Sequence, residues 1–217
     1  MRTSIPFILA VVAMLRLPCG WAAVVTTTAD NGPGSLRQAI VNATPGETLT
    51  FAVSGSITLT SGELLITTNL TITGPGASQL TVQRSTAAGT PDFRIFDIRF
   101  GTVTISGLTV NNGRAGSGGG ILNQARADLT MHDLVISGNA ATNAGGGIKN
   151  VGTLTLDRAI ISGNSASGGP AGASGGGIDN ASTMIVSNSR LDNNLAVGGA
   201  NAEHSDGIGR ISTVRNV

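Results

Sequence analysis

Three segments of the chain repeat one another, and this repetition constrains the fold more than any other feature. Gly118-Gly119-Gly120-Ile121-Leu122-Asn123, Gly145-Gly146-Gly147-Ile148-Lys149-Asn150 and Gly175-Gly176-Gly177-Ile178-Asp179-Asn180 lie 27 and 30 residues apart. A short strand pattern follows each: Leu129-Thr130-Met131, Leu154-Thr155-Leu156 and Met184-Ile185-Val186. A second apolar stretch then ends in a turn, at Ser137-Gly138-Asn139, Ser162-Gly163-Asn164 and Asp192-Asn193-Asn194. A fixed period of this length marks a solenoid, in which each repeat buries its apolar face against its neighbours. Three short strands per repeat, separated by Gly or Asn, predict an all-β fold. The expected architecture is a right-handed parallel β-helix with rungs of about 25–30 residues.

The same pattern predicts columns. Alternate residues of a strand point to opposite faces, so Leu129 and Met131 are expected inside and Thr130 outside. Ile136, Ile161 and Leu191 are expected to stack in one inner column. Asn123, Asn150 and Asn180 form one expected amide ladder, and Asn139, Asn164 and Asn194 a second. Stacked Asn amides hydrogen-bond from rung to rung, and Asn also tolerates left-handed backbone at a turn. The glycines supply positive φ where a rung turns a corner. The stretch from Gly168 to Ser174 is an insertion at one corner, which a solenoid tolerates.

Upstream, Val103-Thr104-Ile105 and Leu108-Thr109-Val110 look like an earlier copy of the strand pair. Ser56–Leu59, Leu64–Ile66, Leu70–Ile72, Leu80–Val82 and Arg94–Ile98 read as further short strands. Before them stands one helix. Ser35 is its expected N-cap, with Gln38 completing a capping box. Leu36, Ala39, Ile40 and Ala43 give an apolar face, and Pro45-Gly46 stops the helix. It is expected to cover the open end of the coil. The chain thus divides into a signal peptide at 1–22, an N-terminal cap at 23–55, β-helix rungs at 56–200 and a degraded rung at 201–217.

The signal peptide is read from Arg2, the apolar run Ile5 to Leu15, and Gly20 and Ala22 at the −3 and −1 positions of a cleavage site. An N-terminal membrane anchor is the alternative, but the run is short for a bilayer. Cys19, after Arg16-Leu17-Pro18, makes a poor lipid-attachment site. Secretion to the extracellular space or the outer-membrane surface is therefore expected, with no transmembrane helix once the signal is cleaved. The whole chain has 13 basic and 12 acidic residues. Losing Arg2 and Arg16 leaves the mature chain slightly acidic, which argues against nucleic acid as a partner. Cys19, the single cysteine, leaves with the signal, so no disulfide or thiolate site is expected.

Asp30-Asn31-Gly32-Pro33-Gly34-Ser35-Leu36-Arg37-Gln38-Ala39-Ile40 resembles the N-terminal capping motif of bacterial secreted β-helix proteins, written Ser-Leu-Arg-Glu-Ala. Gln38 stands where that family usually has Glu, and Gly34 where a Cys often precedes the Ser. The Gly-Gly-Gly-Ile-x-Asn and Ile-Ser-Gly-Asn elements resemble that family's repeats and those of chlamydial polymorphic outer membrane proteins. The resemblance spans roughly residues 24–195. It implies an exported or surface protein, often adhesin-like, with a surface glycan or a protein as partner. Such proteins normally continue into a cap, anchor or secretion domain. The end at 201–217 therefore reads either as a truncated product or as an open end that docks onto a partner or a second copy.

Parallel β-helices also include polysaccharide lyases and glycoside hydrolases, and one cluster has the residue types for such chemistry. His132, Asp157 and Ser187 fall in one expected column, and Asp133, Arg158 and Asn188 in the next. A hydrolase needs paired carboxylates, and a lyase needs a base with a cation to stabilise developing charge. His132, Asp133, Asp157 and Arg158 are thus the catalytic candidates if the chain is an enzyme. The competing reading, which we favour, is ordinary exposed pairing, with Arg158 on Asp133 and His132 beside Asp157. No cofactor is expected. The turns lack the spaced Asp residues of a calcium repeat, and the two histidines, His132 and His204, are too far apart in repeat order for zinc. After Phe100 the chain has no aromatic residue, which counts against a long glycan subsite.

Overall fold

The computed structural model describes residues 22–168 and 173–198, together with the backbone of 208–209 and 213–216. The signal segment and most of 201–217 lie outside the described residues. The described residues wind into a parallel β-solenoid of about seven turns with one short helix. Every strand pairing among them is parallel. Parallel pairing follows from the repeat: equivalent segments run the same way in every turn and sit about 4.8 Å apart.

Alternation within the strands builds the core. Strands β2 (Glu47–Phe51), β5 (Leu70–Thr73), β7 (Phe96–Ser106), β10 (Ile121–Ser137), β13 (Thr153–Ser162) and β16 (Thr183–Ser187) succeed one another in one sheet. Their register aligns Leu49, Ile72, Ile105, Met131, Leu156 and Val186 in one inner column. Val103, Leu129, Leu154 and Met184 form the next inner column along. Val110 (in β8, Thr109–Asn111), Ile136, Ile161 and Leu191 (in β17, Arg190–Asp192) form another. Leu129 and Met131 are buried while Thr130 between them is half-exposed, as the pattern requires. Each fully buried aliphatic side chain contributes roughly 1.5–3 kcal/mol relative to exposure.

A separate four-stranded sheet closes the coil: β9 (Arg114–Ser117), β11 (Ala140–Ala144), β14 (Ser165–Ser167) and β18 (Leu195–Val197). Ala115, Ala141, Ala166 and Ala196 align there, so this wall of the core is built from small side chains. The glycine triplets lie side by side next to it, with Gly119 N–H donating to Gly145 O at 3.0 Å and Gly146 N–H to Gly175 O at 3.1 Å. The leading glycines, Gly118, Gly145 and Gly175, have φ of 61°, 65° and 60°. The middle glycines have a different reason. A Cβ on Gly119 would lie 2.3 Å from Ala140 O, and one on Gly146 2.3 Å from both Gly176 O and Ser165 O. No side chain fits there.

Three details depart from the sequence reading. First, the strands run longer than expected: β10 continues unbroken through 17 residues. A single left-handed residue, Asp133 (φ 54°), bends it. Second, the parallel stack begins inside the 23–55 segment, where β1 (Ala23–Val25) pairs with β2. Third, the capping box is only half made. Helix α1 (Leu36–Asn42) has Ser35 as N-cap, accepting from Gln38 N–H at 3.2 Å. The Gln38 side chain does not return to Ser35; its Nε2 donates to Asn42 Oδ1 at 2.9 Å, while Ser35 N–H donates to Gly32 O. Gly32, at φ 92°, offers its carbonyl to that N–H first. Leu36 and Ile40 join the core.

Candidate functional site

The corner after the long inner column carries the charged cluster singled out above. The register places His132 beside Asp157, and Asp157 beside Ser187. Asp133, Arg158 and Asn188 follow one residue later, and all three take left-handed backbone, with φ of 54°, 48° and 48°. Asp and Asn tolerate that conformation; Arg does so at a cost of order 1–3 kcal/mol. Gly107, one turn earlier, has φ 65°. The column is therefore a bend position at which Gly is the least strained residue.

Arg158 grips Asp133 with both arms of its guanidinium, Nε to Oδ1 at 2.7 Å and Nη2 to Oδ2 at 2.9 Å. Its Nη1 reaches Asp157 as well. His132 does not pair with Asp157, which corrects that expectation: its Nδ1 lies 2.8 Å from Oδ2 of its own neighbour Asp133. The left-handed bend at Asp133 turns that carboxylate within reach of the imidazole and of Arg158. Asp157 instead accepts from Asn188 Nδ2 at 2.8 Å and Ser187 Oγ at 3.0 Å.

These partners set the electrostatics. Hydrogen bonds from Arg158, then from His132, hold the Asp133 carboxyl well below the usual carboxylate range. The Asn188 amide, with Ser187 and Arg158, outweighs partial desolvation and lowers Asp157 too. Asp133 in turn raises Arg158. The network is half-exposed, and both of its carboxylates are engaged. Both carboxylates are stabilised as anions, whereas a glycosidic general acid needs a carboxyl held protonated.

The six ladder asparagines come together in two runs. Asn123 Nδ2 donates to Asn150 Oδ1 at 2.7 Å, and Asn150 Nδ2 to Asn180 Oδ1 at 2.6 Å. Asn139 Nδ2 donates to Asn164 Oδ1, and Asn164 Nδ2 to Asn194 Oδ1, both at 2.9 Å. All six are buried. None of the six takes the left-handed backbone expected of them. That role falls to the residues just before the second ladder: Asn112, Gly138, Gly163 and Asn193, with φ of 58°, 62°, 63° and 52°. At Gly138-Asn139, Gly163-Asn164 and Asn193-Asn194 two tasks are thus divided between adjacent residues, the first bending the chain and the second tying the rungs.

Two polar clusters escaped the sequence reading. In the first, Asp30 Oδ2 accepts from Thr60 N–H at 2.8 Å and Ser61 N–H at 2.9 Å, while Oδ1 accepts from Arg37 Nη2 at 2.7 Å. Arg37 also donates to the carbonyls of Gly62 and Glu63. This ties the helix to the following turn. Burial pushes the Asp30 carboxyl up, but the Thr60 N–H, Arg37 and Ser61 outweigh it and leave the group at about 2. The second cluster centres on Asp97, which is 1% exposed. It accepts from Arg99 Nε at 3.0 Å and Gln124 Nε2 at 3.2 Å, with Arg94 Nη1 at 3.8 Å. A buried Asp in a strand of hydrophobic neighbours was its only sequence signal.

Among the described residues no group of three or more metal-ligating side chains assembles. No described helix is long and apolar enough to cross a membrane. Comparison with family models, with curated proteins and with solved structures finds no match to the chain.

Proposed function

We propose that this chain is a non-catalytic exported or cell-surface β-helix protein, adhesin- or passenger-like or structural, wound right-handed as parallel crossovers generally are. One observation carries the reading. The residues that define the repeat, the glycine triplets and the two asparagine ladders, lie inside the stack or on its tight corners. The repeat is thus built to hold the stack together, which suits a spacer or display surface. The Ser35-Leu36-Arg37 element, with Arg37 bonded to Asp30 and the Gly62 and Glu63 carbonyls, is consistent with the capping role implied by the resemblance to secreted β-helix proteins. A surface glycan or protein is the proposed partner, with self-association through an open end of the stack as the alternative.

The test is expression of residues 1–217 with fractionation and N-terminal mass analysis. A product beginning at Ala23, outside the inner membrane, is expected. A full-length product retained in the cytoplasm would overturn export.

A second reading, a polysaccharide lyase or glycoside hydrolase, is favoured by the strained Arg158 between two carboxylates. A depolymerisation screen with and without calcium decides it. Activity lost in Asp157→Ala or Arg158→Ala would establish the enzyme; no turnover of acidic or neutral polysaccharides would remove it.

A further inference from the structure

Upstream of the charged corner, on the same strand, β7 and β10 fall out of step. Asn123 pairs with Ile98, but the next pair is Arg126 with Phe100. Gln124 and Ala125 thus face the single residue Arg99, which is a β-bulge. Bulges re-aim side chains and recur beside functional sites. Here the bulge residues line a shallow groove: Arg99, Gln124, Ala125 and Arg126. The groove is supported from below. Buried Asp97 holds Arg99 through Nε and Gln124 through Nε2. No other hydrogen bond of Arg99 exists among the described residues, and Arg126 makes none and no ion pair there. Phe100, set beside Arg126 by the register, is 56% exposed.

We propose that this groove binds an acidic sugar unit of a polysaccharide, with Arg99 and Arg126 holding its carboxylate or sulfate and Phe100 contacting the ring face. Two guanidiniums lining one groove, Arg99 held by Asp97 and Arg126 free to turn, call for an oxyanion, since planar donors pair with carboxylate and sulfate oxygens. An exposed phenyl ring beside them calls for an apolar face on the same ligand. A sugar ring carrying an anionic group supplies both. Asp97 acts as a positioning residue: it orders Arg99 and Gln124 without facing the ligand. The site takes only a short stretch of the chain, because no aromatic follows Phe100 in the sequence. Affinity therefore comes from a polymer offering many units. The inference rests on the surface reading above, and supplies the ligand class that the reading lacks.

Binding of the full chain to polygalacturonate, heparin and dextran, measured by affinity electrophoresis at low and high salt, tests it. Retardation by polygalacturonate assigns a carboxylate, and by heparin a sulfate; either supports the site. Binding should fade at high salt, because exposed charge pairs are screened. Arg126→Ala should weaken binding at least about 5-fold, the scale of one lost charge-assisted contact, and Arg126→Lys less, while Phe100→Ala should weaken it about 5-fold through the lost aromatic contact. Arg190→Ala, at a remote exposed arginine, should change it less than about 2-fold, as an uninvolved surface residue does. Absence of binding to both acidic polymers, equal binding to dextran, or equal losses in Arg126→Ala and Arg190→Ala would overturn the proposal. Equal, Arg126-dependent binding of duplex DNA would overturn the sugar assignment. An exported protein that fails to bind loses this site but keeps the surface reading. A cytoplasmic protein that binds does the reverse.

Discussion

The two asparagine ladders use the same side chain and run the same way through the stack, yet they begin differently. At the head of the corner ladder, Asn139 Oδ1 accepts from Gly113 N–H at 2.9 Å. At the head of the other, Asn123 Oδ1 is buried and has no partner among the described residues, because the preceding turn offers Ile98 at that register. The rungs of the corner ladder are also doubly tied. Asn164 Oδ1 accepts from both the side chain and the backbone N–H of Asn139, at 2.9 and 3.0 Å. Among the described residues, Asn150 Oδ1 accepts only from Asn123 Nδ2. An amide ladder has a direction, so its first carbonyl needs a donor from outside the repeat. The chain supplies one where a glycine backbone comes close and leaves the other unmet where the hydrophobic turns begin.

The largest effect should come from breaking the doubly tied ladder. Asn164→Ala leaves the buried Asn139 backbone N–H without its acceptor and also removes the side-chain bonds to Asn139 Nδ2, Asn194 Oδ1, Ile136 O and Ser162 O. At about 1–3 kcal/mol for the orphaned N–H and about 0.5–1.5 kcal/mol for each further bond lost, a loss of about 4 kcal/mol is expected in denaturant unfolding. Asn150→Ala removes fewer bonds and should cost about 2–3 kcal/mol. Equal losses would erase the distinction between the ladders.

The open head sharpens it further. Asn in place of Ile98 would bring a donor to Asn123 Oδ1. Ile98→Asn should therefore lose no more stability than Ile98→Ala, although a buried Asn without a partner would normally be the worse of the two. The advantage should disappear in an Asn123→Ala background, with a coupling of about 1 kcal/mol in the double-mutant cycle.

Neither ladder titrates, so acid should act elsewhere first. Asp30 is depressed to about 2 when folded, against about 3.9 in an unfolded chain. Its stabilisation is complete above about pH 4 and is lost as pH falls towards about 2. Hydrogen exchange at pH 3 against pH 6 should show the helix and its turn loosening before the ladders. Asp30→Asn should remove that pH dependence.

Much of this fold was legible because a repeat states its own register. The triplets fixed which residues stack, and the Leu129 and Met131 alternation fixed which point inward. What remained hidden was local. The half-made capping box depended on whether Gly32 O or Gln38 would reach the Ser35 N–H first. The partner of His132 depended on a left-handed φ at Asp133, which no spacing encodes. The division between bending residue and ladder residue was present in Gly138-Asn139 and Gly163-Asn164, but the chemistry of Asn suits both roles. The bulge at Gln124-Ala125 arises from an extra residue in one turn, visible only once both turns are paired.

The stacking itself can be tested with paired cysteines in a chain carrying Cys19→Ser. Thr130 and Thr155 are register partners on neighbouring turns, and Ile185 follows Thr155 one turn later. Neighbouring parallel strands fall within disulfide reach, and strands two turns apart do not. Thr130→Cys with Thr155→Cys should close an intramolecular disulfide under mild oxidation, seen as the loss of two hydrogens by mass, while Thr130→Cys with Ile185→Cys should not. A folded protein in which the first pair stays open, or the second closes as readily, would contradict a parallel, in-register stack.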